Sequence, residues 1–248
     1  MNATSLKMQV GNFLYKNAYG AYRPLYTWFK ARQDAFEIQV LRDNLRQGDV
    51  VLDIGANIGF YTRILSELVG SGGRVHCFEP EAENVMHLKN VAKDLANVVV
   101  YAKAVGPKDE TLTLYVSHRL NVDHRTYKPE TYDRGVEMEA VAIDTLFPLG
   151  SKIDFIKMDI QGFEMQAVQG MRRTLEQNRN VKILSEFWPY GLKRAGSSAE
   201  EYFNFLERMG FSCFLLEKSS LQALSLKKAR SLEGLGEEHY FNIFARRI

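Results

Sequence analysis

The chain of 248 residues has two cysteines and two tryptophans, and its charges nearly cancel, leaving a formal net charge of +2. Two cysteines cannot make a disulfide framework. Cys77 and Cys213 each lie in an apolar, strand-like run, so they read as buried free thiols in a reducing, cytoplasmic setting. The small net charge gives no electrostatic case for a nucleic-acid partner. No apolar run approaches the length of a membrane span, and the N-terminus lacks a signal-peptide pattern. There is no internal repeat and no low-complexity segment. What remains is globular composition, 46% hydrophobic and 25% charged, enough for the core of a single α/β domain.

Within it, residues 50–60 read Val-Val-Leu-Asp-Ile-Gly-Ala-Asn-Ile-Gly-Phe. A β-branched run ends in Asp53, glycines follow at Gly55 and Gly59, and a helical pattern opens at once with Tyr61, Ile64, Leu65 and Leu68. Gly55 lets the chain turn without a Cβ, and Gly59 lets a ligand approach the helix start. A second strand-like run, residues 74–78, leads into Glu79-Pro80, and an acid at that tip suits a ribose diol. Where a dinucleotide fingerprint has its middle glycine this chain has Asn57, with Asp53 before the turn. A carboxylate there opposes a pyrophosphate and favours the ammonium of an amino-acid-bearing nucleoside. The pattern therefore points to S-adenosylmethionine over NAD, held by Asp53, Gly55, Asn57, Gly59 and Glu79.

Residues 12–47 are helical in pattern and rich in aromatics, with Pro24 dividing two helices and Asp34 with Glu37 forming a capping box on the second. Residues 1–47 read as a helical extension, either a lid or, since they carry more Lys and Arg than acids, a membrane-surface contact, and 48–248 as the ligand-binding domain. Further strand-like runs at 97–102, 153–158, 181–186, 211–216 and 240–245 alternate mostly with helices, among them one over Gly162–Leu175 and one capped by Ser198 with Glu201 and closed by Gly210. The pattern implies a mostly parallel sheet with helices on both faces. An insertion near 111–143 breaks the rhythm: two alternating strands flank a polar loop, His118–Gly135.

With these segments in view, the chain resembles the FkbM-type S-adenosylmethionine-dependent methyltransferases from about Glu37 onwards. The resemblance rests on the motif at 51–62, on Phe78-Glu-Pro, on Lys103-Ala-Val-Gly, and on residues 153–164, Ile-Asp-Phe-Ile-Lys-Met-Asp-Ile-Gln-Gly-Phe-Glu. Residues 186–192, Glu-Phe-Trp-Pro-Tyr-Gly-Leu, look like a subset of that family. The chain departs from the family at Gln161, commonly Glu, and at Phe163, commonly small. The resemblance implies a Rossmann-like class I fold, seven-stranded with the last strand antiparallel. It also implies O-methylation of a hydroxyl on a sugar or other small molecule.

Asp53, Glu79, Asp159 and Glu186 each end a strand-like run, so all four converge on the crevice beyond the strand ends. Ala104, with Lys103, is placed to meet adenine through its backbone. Asp159 is the candidate general base, its pKa raised by the neighbouring acids, and Glu164 is a second catalytic candidate that binds the acceptor or holds Lys157. Asn121 and His124 in the loop, with Glu186 and Trp188, are the candidate acceptor contacts, and His118 is a weaker one. Asp159 with Glu186 could instead hold a divalent metal, an alternative disfavoured because the expected Asp-Asn pair at the fifth strand is missing. An NAD-linked oxidoreductase is opposed by Asn57 and Asp53; a non-catalytic binding module is opposed by the retention of Asp53, Glu79 and Asp159. The motif that holds flipped bases is absent after the fourth strand.

Overall fold

The computed structural model describes residues 11, 14–15, 18–116, 125–129, 132 and 134–248. Two helices come first, α1 (Tyr19–Gln33) and α2 (Ala35–Asn44). The central units follow as β1 (Val50–Ile54), α3 (Phe60–Val69), β2 (Arg74–Phe78), α4 (Ala82–Ala92) and β3 (Val98–Tyr101). The insertion comprises β4 (Ala104–Val105), β5 (Glu110–Val116) and β6 (Arg134–Val141), and α5 (Ile143–Leu146) leads out of it. Next are β7 (Phe155–Met158), α6 (Glu164–Gln169), α7 (Arg172–Gln177), β8 (Lys182–Phe187) and α8 (Pro189–Arg194). The chain ends with α9 (Ala199–Arg208), β9 (Ser212–Glu217), β10 (Ser220–Ala223), α10 (Leu226–Leu232) and β11 (Phe241–Arg246).

The main sheet has eight strands in the order β10-β9-β11-β8-β7-β1-β2-β3. The five strands from β8 to β3 run parallel, and β11 lies antiparallel between β8 and β9. Seven of them match the expected count; the eighth, β10, is a hairpin return onto β9 at the sheet edge. Strand alternation sorts the core into two layers. Val51, Val75, Phe155, Leu184 and Phe244 pack with α2, α3 and α4. Leu52, Ile54, Ile156, Ile183 and Ile243 pack on the opposite side with α6, α7, α9 and α10. The insertion strands form their own sheet, β4-β6-β5, around Leu114, Val116, Met138 and Ala140.

Three local expectations are corrected. Pro24 does not divide the N-terminal helices but sits inside α1, and the break falls at Asp34. Its missing N–H forfeits a bond only to Gly20 in the exposed first turn, where the loss is small. No capping box forms at Asp34, because its carboxylate is engaged elsewhere: it accepts from the Tyr61 hydroxyl at 2.7 Å and pairs with Lys30 at 2.7 Å. The helix read over Gly162–Leu175 is two helices, α6 and α7. Gly170 is pressed against the Gly106 carbonyl, and Asp144 accepts from the backbone N–H groups of Arg173 and Thr174, giving α7 its own N-terminal partner. Ser198 does cap α9, accepting from the Glu201 N–H, and Gly210 follows that helix at φ +83°.

Candidate active site

A cavity of about 940 Å³ opens beyond the carboxyl ends of β1, β2, β7 and β8. The turn after β1 forms its floor, and Ala104, Val105 and Leu114 from the insertion line one side. Tyr26, Phe29, Lys30 and Gln33 of α1 line it from the N-terminal side.

The turn at 55–59 is closed on itself. Gly55 and Ala56 N–H both donate to the Phe78 carbonyl, at 2.9 and 3.0 Å. Asn57 N–H donates to Glu79 Oε2 at 2.9 Å, Ile58 N–H to Asn57 Oδ1 at 2.7 Å, and Gly59 N–H to the Ala56 carbonyl at 2.9 Å. Every backbone donor of the turn is therefore spent within the protein, and none remains for a pyrophosphate. Asn57 holds a left-handed conformation at φ +49°, uncommon for a residue with a side chain and here fixed by those bonds. Glu79 is buried and lines the cavity; burial pushes its carboxyl up to about 7 despite the Glu81 and Asn57 N–H groups it accepts from.

Two residues of the motif stand behind the cavity wall. Asp53 shares the sheet face of Val51, so alternation sends it beneath α3, where Oδ2 accepts from Thr62 at 2.7 Å and Lys157 is its register neighbour on β7. Burial raises its pKa. Gly59 starts α3 at φ +87°, and a Cβ there would press on Leu88 and Val91 of α4. It serves the turn and helix packing, and does not line the cavity. Gly55, Asn57, Glu79 and Ala104 do line it.

Beyond β7 the chain turns sharply at 159–163. Asp159 lines the cavity with its side chain 36% exposed, and Lys157 Nζ lies 3.6 Å away against the Tyr61 ring. Gln161, left-handed at φ +56°, donates through Nε2 to Asp159 Oδ1 at 3.1 Å and to both oxygens of Glu186 at 3.3 Å. The expected upward shift at Asp159 is reversed. Burial pushes its carboxyl up, but the cations of Lys157 and Lys30 and the Gln161 amide outweigh it and hold it below the ordinary range. The upward shift falls on Glu186, through burial and the charges of Asp159 and Glu164. Within this bridged pair the surroundings favour the ionised form of Asp159 and the protonated form of Glu186.

Glu164 is fully buried under the turn and does not face the cavity. Its Oε1 accepts from Ile160 N–H at 3.0 Å and Gly162 N–H at 3.4 Å, pinning the turn that presents Asp159 and Gln161. Burial holds its carboxyl up at about 7, against an ordinary 4.5. A raised carboxyl pKa means that the folded state binds more protons than the unfolded one between those values. Its contribution to stability therefore falls as pH rises from 4.5 to about 7. Its size is on the order of 2–3 kcal/mol. Glu164→Gln keeps an oxygen acceptor and removes the ionisation, so melting temperatures at about pH 5 and pH 8 should lie closer together in the variant than in the wild type. Equal separation in both would clear Glu164 of this role.

At the far end, Trp188 is buried and lines the cavity, its Nε1–H donating to the Glu237 carbonyl at 2.9 Å. Arg125 stacks over its ring at 5.0 Å and pairs with Glu237 at 2.6 Å. Asn121, His124 and His118 lie outside the described residues. Among the described residues no group of three or more His, Cys, Asp or Glu side chains is arranged to hold a metal ion. Sequence reasoning missed Lys30, Glu237 and Asn242 as cavity residues, and marked Tyr26 only among the aromatics of the N-terminal extension and Arg125 only as part of the polar loop. Only Lys157 and Gln161 carried a signal, inside the residue 153–164 motif.

The methyltransferase FkbM domain model matches residues 53–213 of this chain. No match is found among curated proteins. Solved structures similar to it include an rRNA methylase from Streptococcus thermophilus, 11% identical with a TM-score of 0.51, covering 86% of this chain and 94% of that one. A SAM-dependent O-methyltransferase from Thermotoga maritima is 12% identical with a TM-score of 0.50, covering 88% of this chain and 65% of that one. The FkbM methyltransferase from Methylobacillus flagellatus KT is 16% identical with a TM-score of 0.50; the match covers 96% of this chain and only 57% of that one. Such likenesses establish the fold alone.

Proposed function

The chain belongs to the FkbM methyltransferase family, and from that premise we propose that it transfers the methyl group of S-adenosylmethionine to a hydroxyl oxygen of a sugar or other small molecule. The carrying observation is Asp159: a carboxylate held ionised by Lys157 and Lys30 at the end of a central strand, facing a cavity lined by polar and aromatic side chains.

The cavity suits the cofactor. A turn with no free backbone donor, bordered by the Glu79 carboxyl, favours a phosphate-free nucleoside with hydroxyl and ammonium groups. Glu79 would hold the ribose hydroxyls, and Gly55 and Asn57 the amino-acid part. Ala104 and Val105 would meet the base. Asp53 acts from behind, fixing α3 through Thr62. When bound, S-adenosylmethionine supplies a sulfonium-activated methyl group.

The protein then has to align an acceptor oxygen and take its proton. Alignment contributes about 7–11 kcal/mol in favourable cases, and a general base about 10²–10⁴-fold. Asp159 is a weak base by its lowered pKa, yet weakness is tolerable here. The proton becomes strongly acidic as the oxygen is alkylated, so it passes to Asp159 late and downhill. Glu186, protonated, can donate to a neighbouring acceptor hydroxyl, with Gln161 holding the two carboxyl groups in register. Glu37 and Asn242, joined at 2.9 Å, offer further polar contacts.

A nucleic-acid acceptor fits less well. The cations lining the cavity are each paired with a carboxylate: Lys30 with Asp34, Lys103 with Glu139, Lys157 with Asp159, and Arg125 with Glu237. Glu37, Glu186 and Glu238 line the cavity and add negative charge inside it, opposing a phosphate chain that would have to enter. The test is incubation with methyl-labelled S-adenosylmethionine and a panel of glycosides, polyols, amines and RNA. Label in an O-methyl ether supports the reading. Label confined to nitrogen, or to RNA, sinks it.

A further inference from the structure

We infer that the outer face of α1 is a docking surface for an anionic lipid bilayer, setting the mouth of the cavity against the membrane. The helix presents Leu25, Trp28 and Phe29 to solvent at 54%, 58% and 55% exposure. Their spacing, with Arg32, is i, i+3, i+4 and i+7, so the four form one stripe along the helix. Ala21 and Pro24 continue the stripe towards the N-terminus, and both are exposed. The opposite face is already used: Tyr22, Tyr26 and Lys30 are turned inward, and Tyr26 packs edge-on against Phe60. The apolar stripe is therefore not the half of the helix that holds it to the domain.

Charge selects the occupant. The helix contains no Asp or Glu, and carries Arg23, Lys30 and Arg32. Lys30 is neutralised by Asp34, but the Arg32 guanidinium lies 5.1 Å over the exposed Trp28 ring. An aromatic and aliphatic stripe that ends in Arg32, on a helix with no acid, matches a bilayer interface: apolar groups enter the acyl boundary while the guanidinium stays with the phosphates. A second copy of the chain fits poorly, because pairing the stripe with itself sets Arg32 against apolar side chains with no acid on the helix to meet it. Single-stranded RNA would value Trp28 and Arg32 but leaves Leu25, Ala21 and Pro24 without a role. Phe29 belongs both to the stripe and to the cavity lining, so docking would bring the mouth to the headgroup level. The inference is independent of which acceptor is methylated.

The test is co-sedimentation of the full chain with vesicles of phosphatidylcholine alone and with added phosphatidylglycerol. Wild type should partition onto the anionic vesicles and be released by salt, since the Debye length shrinks to about 3 Å at 1 M. Arg32→Gln should lower partitioning by about fivefold. Leu25→Ser/Trp28→Ser should lower it by about tenfold or more. Retained S-adenosylhomocysteine affinity certifies that each variant is folded; should the serine pair misfold, the Arg32 variant decides. Failure of wild type to bind anionic vesicles, or unchanged binding by the folded variants, would overturn the proposal. So would a dimer, seen by light scattering, that Leu25→Ser/Trp28→Ser dissolves, or RNA binding tighter than vesicle binding.

Discussion

Asp159→Asn is expected to slow methyl transfer by about 10²–10⁴-fold while leaving S-adenosylhomocysteine affinity nearly unchanged. The substitution preserves shape and an oxygen that can accept from the Gln161 amide, now at 3.1 Å. It removes the negative charge that Lys157 and Lys30 surround, at a cavity carboxylate whose pKa the site lowers. Glu186 is the poorer base, because burial and neighbouring acids push its carboxyl up and favour its protonated form. Single-turnover transfer of a labelled methyl group separates this loss from binding. A rate equal to wild type would exclude Asp159 from proton transfer and leave alignment alone to explain catalysis. The pH profile offers a second reading of the same site. Because Asp159 titrates below the usual carboxylate range, activity governed by it should persist into mildly acidic solution and fall only as pH drops through that lowered value.

That pH behaviour inverts what the sequence alone suggests, and the reason is spatial. Several acids ending adjacent strands imply mutual repulsion and a raised pKa for each. Lys157 could be placed two residues before Asp159, but its packing against Tyr61 at 4.7 Å, which keeps its ammonium within reach of Asp159, depends on α3. Lys30 comes from a helix more than a hundred residues upstream, and no local pattern ties it to β7. Charge balance in a crevice is a property of what the fold brings together, whereas strand order and burial follow from periodicity. The alternation that marked 50–54, 74–78 and 153–158 as strands also separates Asp53 from the cavity. Applied strictly, period two would have placed it with Val51 beneath α3.

The short elements were harder to read for a related reason. The break between α6 and α7 depends on Gly170 meeting Gly106, and the missing capping box at Asp34 depends on Tyr61 and Lys30 competing for its carboxylate. In both cases a tertiary partner overrides a local preference. Ser198, with no such competitor among its hydrogen bonds, caps its helix as its sequence suggests.

Gly55→Ala should abolish cofactor binding and destabilise the domain by about 3 kcal/mol or more. Gly55 sits at φ +79°, and a Cβ there would fall 1.9 Å from the backbone carbonyl oxygen of Asp159. That neighbour is main chain, so no rotamer change relieves the clash; β7 or the turn must move. Displacing the turn breaks the bonds of Gly55 and Ala56 to the Phe78 carbonyl and carries Asn57 away from Glu79, 2.9 Å from its N–H. Displacing β7 instead shifts Asp159 relative to the incoming methyl group. On the proposed reading the same contact couples cofactor cradle and base, so either relaxation would cost function. Chemical denaturation and calorimetry with S-adenosylhomocysteine measure the two losses separately. Gly48→Ala is the control: it also has positive φ, +88°, but nothing within 4 Å of an added Cβ, so it should lose only the conformational part, about 1–2 kcal/mol, and keep its ligand affinity. If the two variants were equally stable and equally able to bind, the close approach of the β1 turn to Asp159 would not be what assembles the site.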